Sequence, residues 1–341
     1  MRIPFMRTVK QAKRRGFKNI VLILIAITLK DLFGRLDDSR VLPESATVEV
    51  NNARMEVLPR KGAIHRDLYV YRKREPICTD YMINSHILKE GDAVLDIGAN
   101  IGYYVLIESQ LVGAKGKVYA VEPVRDNFEL LKKNISLNDL KNVDAFQLAL
   151  GKHNQESMIY VSTLANLCSM KQNTTLGKII DVQSVTEQTV DTFLKNRSSP
   201  SLIRMDVEGY EYEILGGMPL TLNRNLRILA ELHPCNLSDK QMDEIFQILT
   251  QNEFCVRFAV FEPKINENKI VNKIVNKTVE SLLKKGNIKT SVEERAIGIN
   301  LPSPTFVLAN VSLEELQRVM KEHSNLAPNV LFEKQSFKRK I

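Results

Sequence analysis

Cysteine is sparse in this chain. Cys78, Cys168, Cys235 and Cys255 stand far apart and form no CxxC pair. That excludes a zinc site of the paired-cysteine type, and the four thiols read as reduced and cytosolic. Five histidines occur with no HxxxH spacing. Long apolar stretches are scarce too: the run IVLILIAITL at 20–29 would make a helix of about 15 Å, half of the roughly 30 Å hydrocarbon core of a bilayer. A polytopic membrane protein is thereby excluded. With 44% hydrophobic and 26% charged residues over 341 positions, so is a disordered chain.

What is present is a charge imbalance with an address. The net charge is +8, yet residues 1–35 alone hold nine basic residues and one acid. The segment 264–289 has seven lysines against two glutamates, and the tail 334–341 has four basic residues. The remaining body is mildly acidic. A basic arm ahead of a short apolar run reads in three ways: a membrane anchor or shallow insertion, a helix docked on the protein's own core, or a cleaved leader. The basic arm suits an anionic cytoplasmic membrane surface, so the expected location is cytoplasmic, with peripheral or anchored membrane contact through 1–35.

Beyond the arm, TVEVNNARMEVL at 47–58 reads as a hairpin about Asn51-Asn52, and 76–89 as a helix. Strand, turn and helix then alternate. Strands are expected at 93–98, 117–123, 143–151, 202–209, 227–234, 255–261 and 305–311, and a hairpin strand near 158–162. Helices are expected at 102–112, 126–138, near 189–195, from 210, at 238–251 and at 312–323. A polar, loop-like stretch fills the interval to about 188. This alternation implies βαβ units and a mostly parallel sheet, with the ligand site at the carboxyl ends of the strands. Between the last two strands the repeat NKIV-NKIV-NKTV at 268–279 spaces apolar residues as on one face of an inserted amphipathic helix.

Four motifs carry chemistry. Asp96-Ile97-Gly98-Ala99-Asn100-Ile101-Gly102 follows an apolar strand and opens a helix. Its glycines allow a tight turn and close approach of a ligand to the backbone. It lacks the GxGxxG spacing of a dinucleotide site, and the leading carboxylate suits S-adenosylmethionine, which carries an ammonium and a sulfonium but no phosphate. Glu122 ends the next strand, where an acid accepts hydrogen bonds from ribose hydroxyls. In IRMDVEGYEYEILGG at 203–217, Asp206 and Glu208 share one face if the strand continues that far. In AELHP at 230–234, Glu231 and His233 occupy the same place on the following strand.

Together these motifs resemble the FkbM-type S-adenosylmethionine-dependent methyltransferases over about 67–260. The resemblance implies an α/β class I methyltransferase fold: a Rossmann-like, doubly wound, seven-stranded sheet with a late antiparallel strand, here with an N-terminal helical and hairpin extension. It implies methyl transfer to a hydroxyl of a sugar, glycan or small metabolite. It assigns the cofactor to Asp96, Gly98, Asn100, Gly102 and Glu122, with Ala149 beside the adenine.

The expected organisation is a basic arm and apolar helix at 1–45, a hairpin and helix at 46–90, and the cofactor-binding core at 91–263. An inserted helix at 264–292 and a final strand, helix and basic tail at 293–341 complete it. A hydroxyl acceptor must lose its proton, and a base or a metal can assist. Asp206 and His233 are the candidates for the proton. Glu208, catalytic beside them, orients sugar hydroxyls together with the substrate-binding Glu231. A divalent metal on Asp206 and Glu208 stays an open alternative, as does oligomeric state. Competing readings are a nicotinamide dehydrogenase, a nucleic-acid methyltransferase and a non-catalytic scaffold. Against the first two stand the glycine spacing, the absence of an NPPY or DPPY motif and the acidic body.

Overall fold

The computed structural model describes residues 42–162, 168–170, 179–261, 306–309, 311–322, 324 and 327–335. The apolar run at 17–33 and the repeat-bearing insertion lie outside the described residues. Among the described residues no helix is long and apolar enough to cross a membrane.

The chain opens with a hairpin, β1 (Ala46–Val50) and β2 (Ala53–Val57). Asn51 and Asn52 both take positive φ, 47° and 64°, the requirement of a two-residue primed turn, which asparagine tolerates better than other side chains. Val48, Val50, Met55 and Val57 are buried on the face the hairpin turns to the core. Two helices follow, α1 (Ala63–Tyr71) and α2 (Pro76–Asn84). The second stops five residues before the expected end, just ahead of His86 in the left-handed region.

Then come β3 (Ala93–Ile97), α3 (Tyr103–Val112), β4 (Lys117–Val121), α4 (Arg125–Leu137), β5 (Val143–Phe146) and β6 (Ala149–Gly151). Next are β7 (Gln155–Ser162), β8 (Ile179–Thr189), α5 (Val190–Phe193) and β9 (Leu202–Asp206). They lead to α6 (Glu211–Gly216), α7 (Pro219–Leu222), β10 (Arg227–Glu231), α8 (Asp239–Gln251) and β11 (Phe254–Phe261). The series closes with β12 (Phe306–Ala309), α9 (Leu313–Glu322) and β13 (Asn329–Lys334). Ser238 caps α8 in a reciprocal box with Gln241, satisfying two N-terminal amides of that helix.

The main sheet has the order β12-β11-β13-β10-β9-β3-β4-β5. Strands β10, β9, β3, β4 and β5 run parallel, and β13 lies antiparallel between β10 and β11. This is the class I methyltransferase fold. Seven of its strands form the expected sheet, and β12 adds an eighth on the β11 edge. The strand expected at 305–311 is β12, and the late antiparallel place is taken by β13, from a segment between the last expected helix and the basic tail where no strand was expected. The NVLF portion of β13 is buried because it sits between two strands with a helical layer on each face.

Two other expectations change. The strand 143–151 is two strands, β5 in the main sheet and β6 in a separate three-stranded sheet of order β6-β8-β7. The polar interval before 189 contains β8, eleven residues paired antiparallel with β7. Most of its residues from Asp181 on are polar, and Asp181, Ser184 and Thr186 are exposed, so its composition resembles a loop.

Both faces of the main sheet are covered. Leu95, Ile97, Ile203, Met205 and Ile228 belong to one core with Ile214 and Ile245. Val94, Leu202 and Leu229 belong to the other, with the hairpin residue Met55 and with Val105 and Leu106 of α3. Period-two alternation therefore sends Asp96, Arg204, Asp206 and Glu231 toward the second face. The sheet pairs Asp96 with Arg204 and Asp206 with Glu231 across neighbouring strands.

Candidate functional site

A cleft of about 690 Å³, partly open to solvent, lies at the carboxyl ends of β3, β4 and β9. That is the expected end of the sheet. Gly98 and Asn100 form part of its wall, Glu122 another, and Leu148, Ala149 and Leu150 an apolar side. Asp206 and Glu208 border it from β9 and the turn beyond.

The loop after β3 is held by its own amides. Gly98 and Ala99 donate to the Val121 carbonyl at 2.9 and 3.0 Å. The Asn100 amide donates to Glu122 Oε2 at 2.8 Å. Asn100 itself takes a φ of 49° and its side chain accepts from the Ile101 amide. Gly102, at φ 94°, caps α3, and a Cβ there would lie 2.8 Å from Leu131 Cδ1. The glycines here serve close packing between protein segments, beyond the ligand approach expected of them.

Glu122 is buried, and its Oε1 accepts from the Val124 amide at 3.0 Å and Asn127 Nδ2 at 3.3 Å. Burial raises its carboxyl to about 7, although the hydrogen bonds from Val124, Asn100 and Asn127 oppose the shift. Ala149 is buried and belongs to the apolar part of the lining.

Asp96 does not line the cleft. Its side chain points to the sheet face, is 0% exposed, and accepts from Arg204 Nη1 at 2.9 Å. Burial, outweighing Arg204, raises its carboxyl. Arg204 also lies 3.5 Å from Asp206 and stacks 3.9 Å from the centroid of the Tyr104 ring. Glu108 of α3 is buried beside this pair, and burial first, then the Asp96 charge, raises its carboxyl well above normal. Neither Arg204 nor Glu108 was singled out from sequence. The signals were there: an arginine inside the apolar strand LIRMD and a glutamate inside the apolar helix YYVLIESQLV.

The paired carboxylates are close but not on one strand face. β9 ends at Asp206, and Glu208 sits in the following turn with φ 50°. Asn236 Nδ2 holds that turn by donating to the Glu208 carbonyl. Glu231 and His233 lie beneath, buried and outside the cleft lining. His233 Nε2 lies 3.4 Å from Glu208, 3.6 Å from Glu231 and 4.0 Å from Asp206. Its Nδ1 meets Glu211 Oε1 at 2.7 Å. Burial pulls the imidazole's pKa down, but the Glu208, Glu211 and Glu231 carboxylates carry it well above the ordinary value. A ring 1% exposed and surrounded by acids is poorly suited to accept a proton from an acceptor in the cleft, contrary to the base role expected of it. On the second face Arg74 adds a cation, paired with Glu75 at 2.6 Å.

Residues 96–256 match the family model described as the Methyltransferase FkbM domain. The chain is 28% identical over 145 residues to the hexuronic acid methyltransferase AglP of Haloferax volcanii, covering 42% of this chain and 57% of that protein. It is 38% identical over 56 residues to protein-L-isoaspartate O-methyltransferase 1 of Archaeoglobus fulgidus, covering 16% of this chain and 26% of that protein. The chain thus spans between about a quarter and just over half of the length of these two curated relatives. Among solved structures, a SAM-dependent O-methyltransferase from Thermotoga maritima aligns with a TM-score of 0.38 at 12% identity, over 85% of this chain and 77% of that one. The motif-bearing segment, residues 96–256, belongs to the FkbM-type family of S-adenosylmethionine-dependent methyltransferases.

Proposed function

We propose that this protein transfers the methyl group of S-adenosylmethionine to a hydroxyl oxygen of a sugar, with a hexuronic acid as the first acceptor to test. The observation that carries the reading is the lining of the cleft: three carboxylates, Glu122, Asp206 and Glu208, together with the apolar stretch Leu148, Ala149 and Leu150.

The donor set fits the cofactor. Glu122, anchored by two amides and Asn127, accepts from a ribose diol. Leu148, Ala149 and Leu150 face an adenine. Glu208 adds a negative charge to the lining suited to a cationic group. When bound, S-adenosylmethionine supplies an already activated methyl, so placement of the acceptor supplies much of the catalysis. The hydroxyl proton passes to Asp206, the strand-end carboxylate on the cleft. Similarity to the hexuronic acid methyltransferase supports a sugar acceptor. The +8 arm at 1–35 supports contact with an anionic membrane surface from the cytoplasmic side.

The test incubates the full chain with methyl-labelled S-adenosylmethionine and separate pools of hexuronic acids, neutral sugars, glycans and small metabolites. Label is expected in a sugar as an O-methyl group. Asp206→Asn should lower turnover by about 10²–10⁴-fold while cofactor affinity is kept. Cofactor binding with no label in any pool would turn the reading to a non-catalytic binding protein.

A further inference from the structure

We infer that Asp206, Glu208 and His233 form a divalent-cation site at the floor of the cleft, with Glu231 at its edge. The inference rests on the reading of the cleft as the site of methyl transfer for its purpose, but not for its geometry.

The three donor atoms lie within 4.8 Å of one another. His233 Nε2 is buried and has no hydrogen bond. The nearest carboxylate oxygens stand around it at 3.4, 3.6 and 4.0 Å. Ligands about 2.1 Å from a shared octahedral ion lie about 3.0 Å apart when adjacent and about 4.2 Å apart when opposite. The observed spacings fall in that interval. They are longer than a charge-assisted hydrogen bond from an imidazolium, which would draw one oxygen to about 2.8 Å.

A second relationship orients the ring. Glu211, 0% exposed at the start of α6, holds Nδ1 at 2.7 Å. With a cation in place of the Nε2 proton, a carboxylate on Nδ1 would keep the remaining proton there and turn the Nε2 lone pair to the ion, the outer-shell arrangement typical of metal-binding histidines. Glu211 is itself held by the Gly209 amide at 3.2 Å. The turn that carries Glu208 thus also positions the ring.

Charge points the same way. Glu75, Asp206, Glu208, Glu211 and Glu231 surround this region against Arg74 and Arg204. A dication would offset most of the excess. Two or three oxygens with one imidazole suit Mn²⁺ or a similar first-row ion better than Zn²⁺ in a thiolate site. Placed between Asp206 and Glu208, such an ion borders the cleft and would lower the pKa of an acceptor hydroxyl there.

The test uses the full chain, stripped with EDTA and free of cofactor and acceptor. Mn²⁺ is titrated in, and the free-ion electron paramagnetic resonance signal is followed. The expected result is loss of that signal up to a single ion per chain, with a rise in Tm. Glu208→Gln and Asp206→Asn should each abolish the stoichiometric phase. Glu211→Gln should weaken it by about 10–100-fold, as loss of an outer-shell partner does. Wild-type protein that leaves the Mn²⁺ signal and Tm unchanged would overturn the site. So would stoichiometric binding unchanged in folded Asp206→Asn and Glu208→Gln. If only one of those variants folds, that one decides. Because no methyl acceptor is present, failure of the methyl-transfer reading would leave this outcome readable.

Discussion

Gly98 and Asp206 are in direct backbone contact: a Cβ on Gly98 would sit 2.1 Å from the Asp206 carbonyl oxygen. The loop assigned to the cofactor and the strand end assigned to the acceptor are therefore one packed unit. Moving either moves the other.

The first prediction follows from that contact. Gly98 has φ 80°, and the atom it would strike is backbone, which cannot swing away. Gly98→Ala should destabilise the fold by about 1–3 kcal/mol through overpacking, and more if the left-handed conformation is kept. Gly102→Ala meets the flexible end of Leu131 instead and should cost less. Denaturant midpoints at constant m-value rank the two; equal midpoints would contradict the packing argument.

A second prediction concerns the buried pair of Arg204 and Asp96, whose side chains are 5% and 0% exposed. Arg204→Met leaves Asp96, Asp206 and Glu108 without their shared cation. Breaking a buried pair from one side should cost about 3–5 kcal/mol. Asp96→Asn should lower stability more than cofactor affinity, because its side chain does not border the cleft. Isothermal titration with S-adenosylmethionine alongside urea melts would separate the two effects.

The third prediction is a pH dependence at Glu122. Its carboxyl is raised from 4.5 to about 7 in the folded protein. The folded state therefore holds a proton that the unfolded state has released between those values. The associated stability is fully present below the lower value and is lost as pH rises through about 7. Its size is of the order of 3 kcal/mol, at 1.36 kcal/mol per unit. Glu122→Gln should flatten this slope in melts taken from pH 4 to 8. Cofactor affinity should run the other way, rising through about pH 7 as the carboxylate becomes a pure acceptor for ribose hydroxyls.

The fourth concerns the basic arm. Removing residues 1–35 takes away a net charge of +8, worth about 1 kcal/mol per basic residue near an anionic surface. The shortened protein should no longer sediment with phosphatidylserine vesicles at low salt, while binding S-adenosylmethionine as before. Retention on those vesicles would assign the contact elsewhere.

Much of this was legible without coordinates. The strand-loop-helix around Gly98, the strand-end acid Glu122 and the run from β9 to α8 all follow from short-range pattern: apolar strands of five residues, turn residues, then helical spacing. These are local properties of the chain. β8 was missed because a strand of mostly polar residues has the composition of a loop. β13 was missed because a short segment close to a basic tail becomes a strand only where two partners and two covering layers receive it.

The order of motifs thus determined the fold family and the end of the sheet where the site lies. The direction of side chains was decided by tertiary structure. Asp96 turns from the cleft because its place in the pleat aims it at Arg204, and β9 ends two residues too soon for Asp206 and Glu208 to share a face. His233 acquires three acidic neighbours from two strands and a turn, with Glu211 behind its ring. Pattern reports which residues alternate along one strand; only the register between strands and the point where each one stops determine which charges meet.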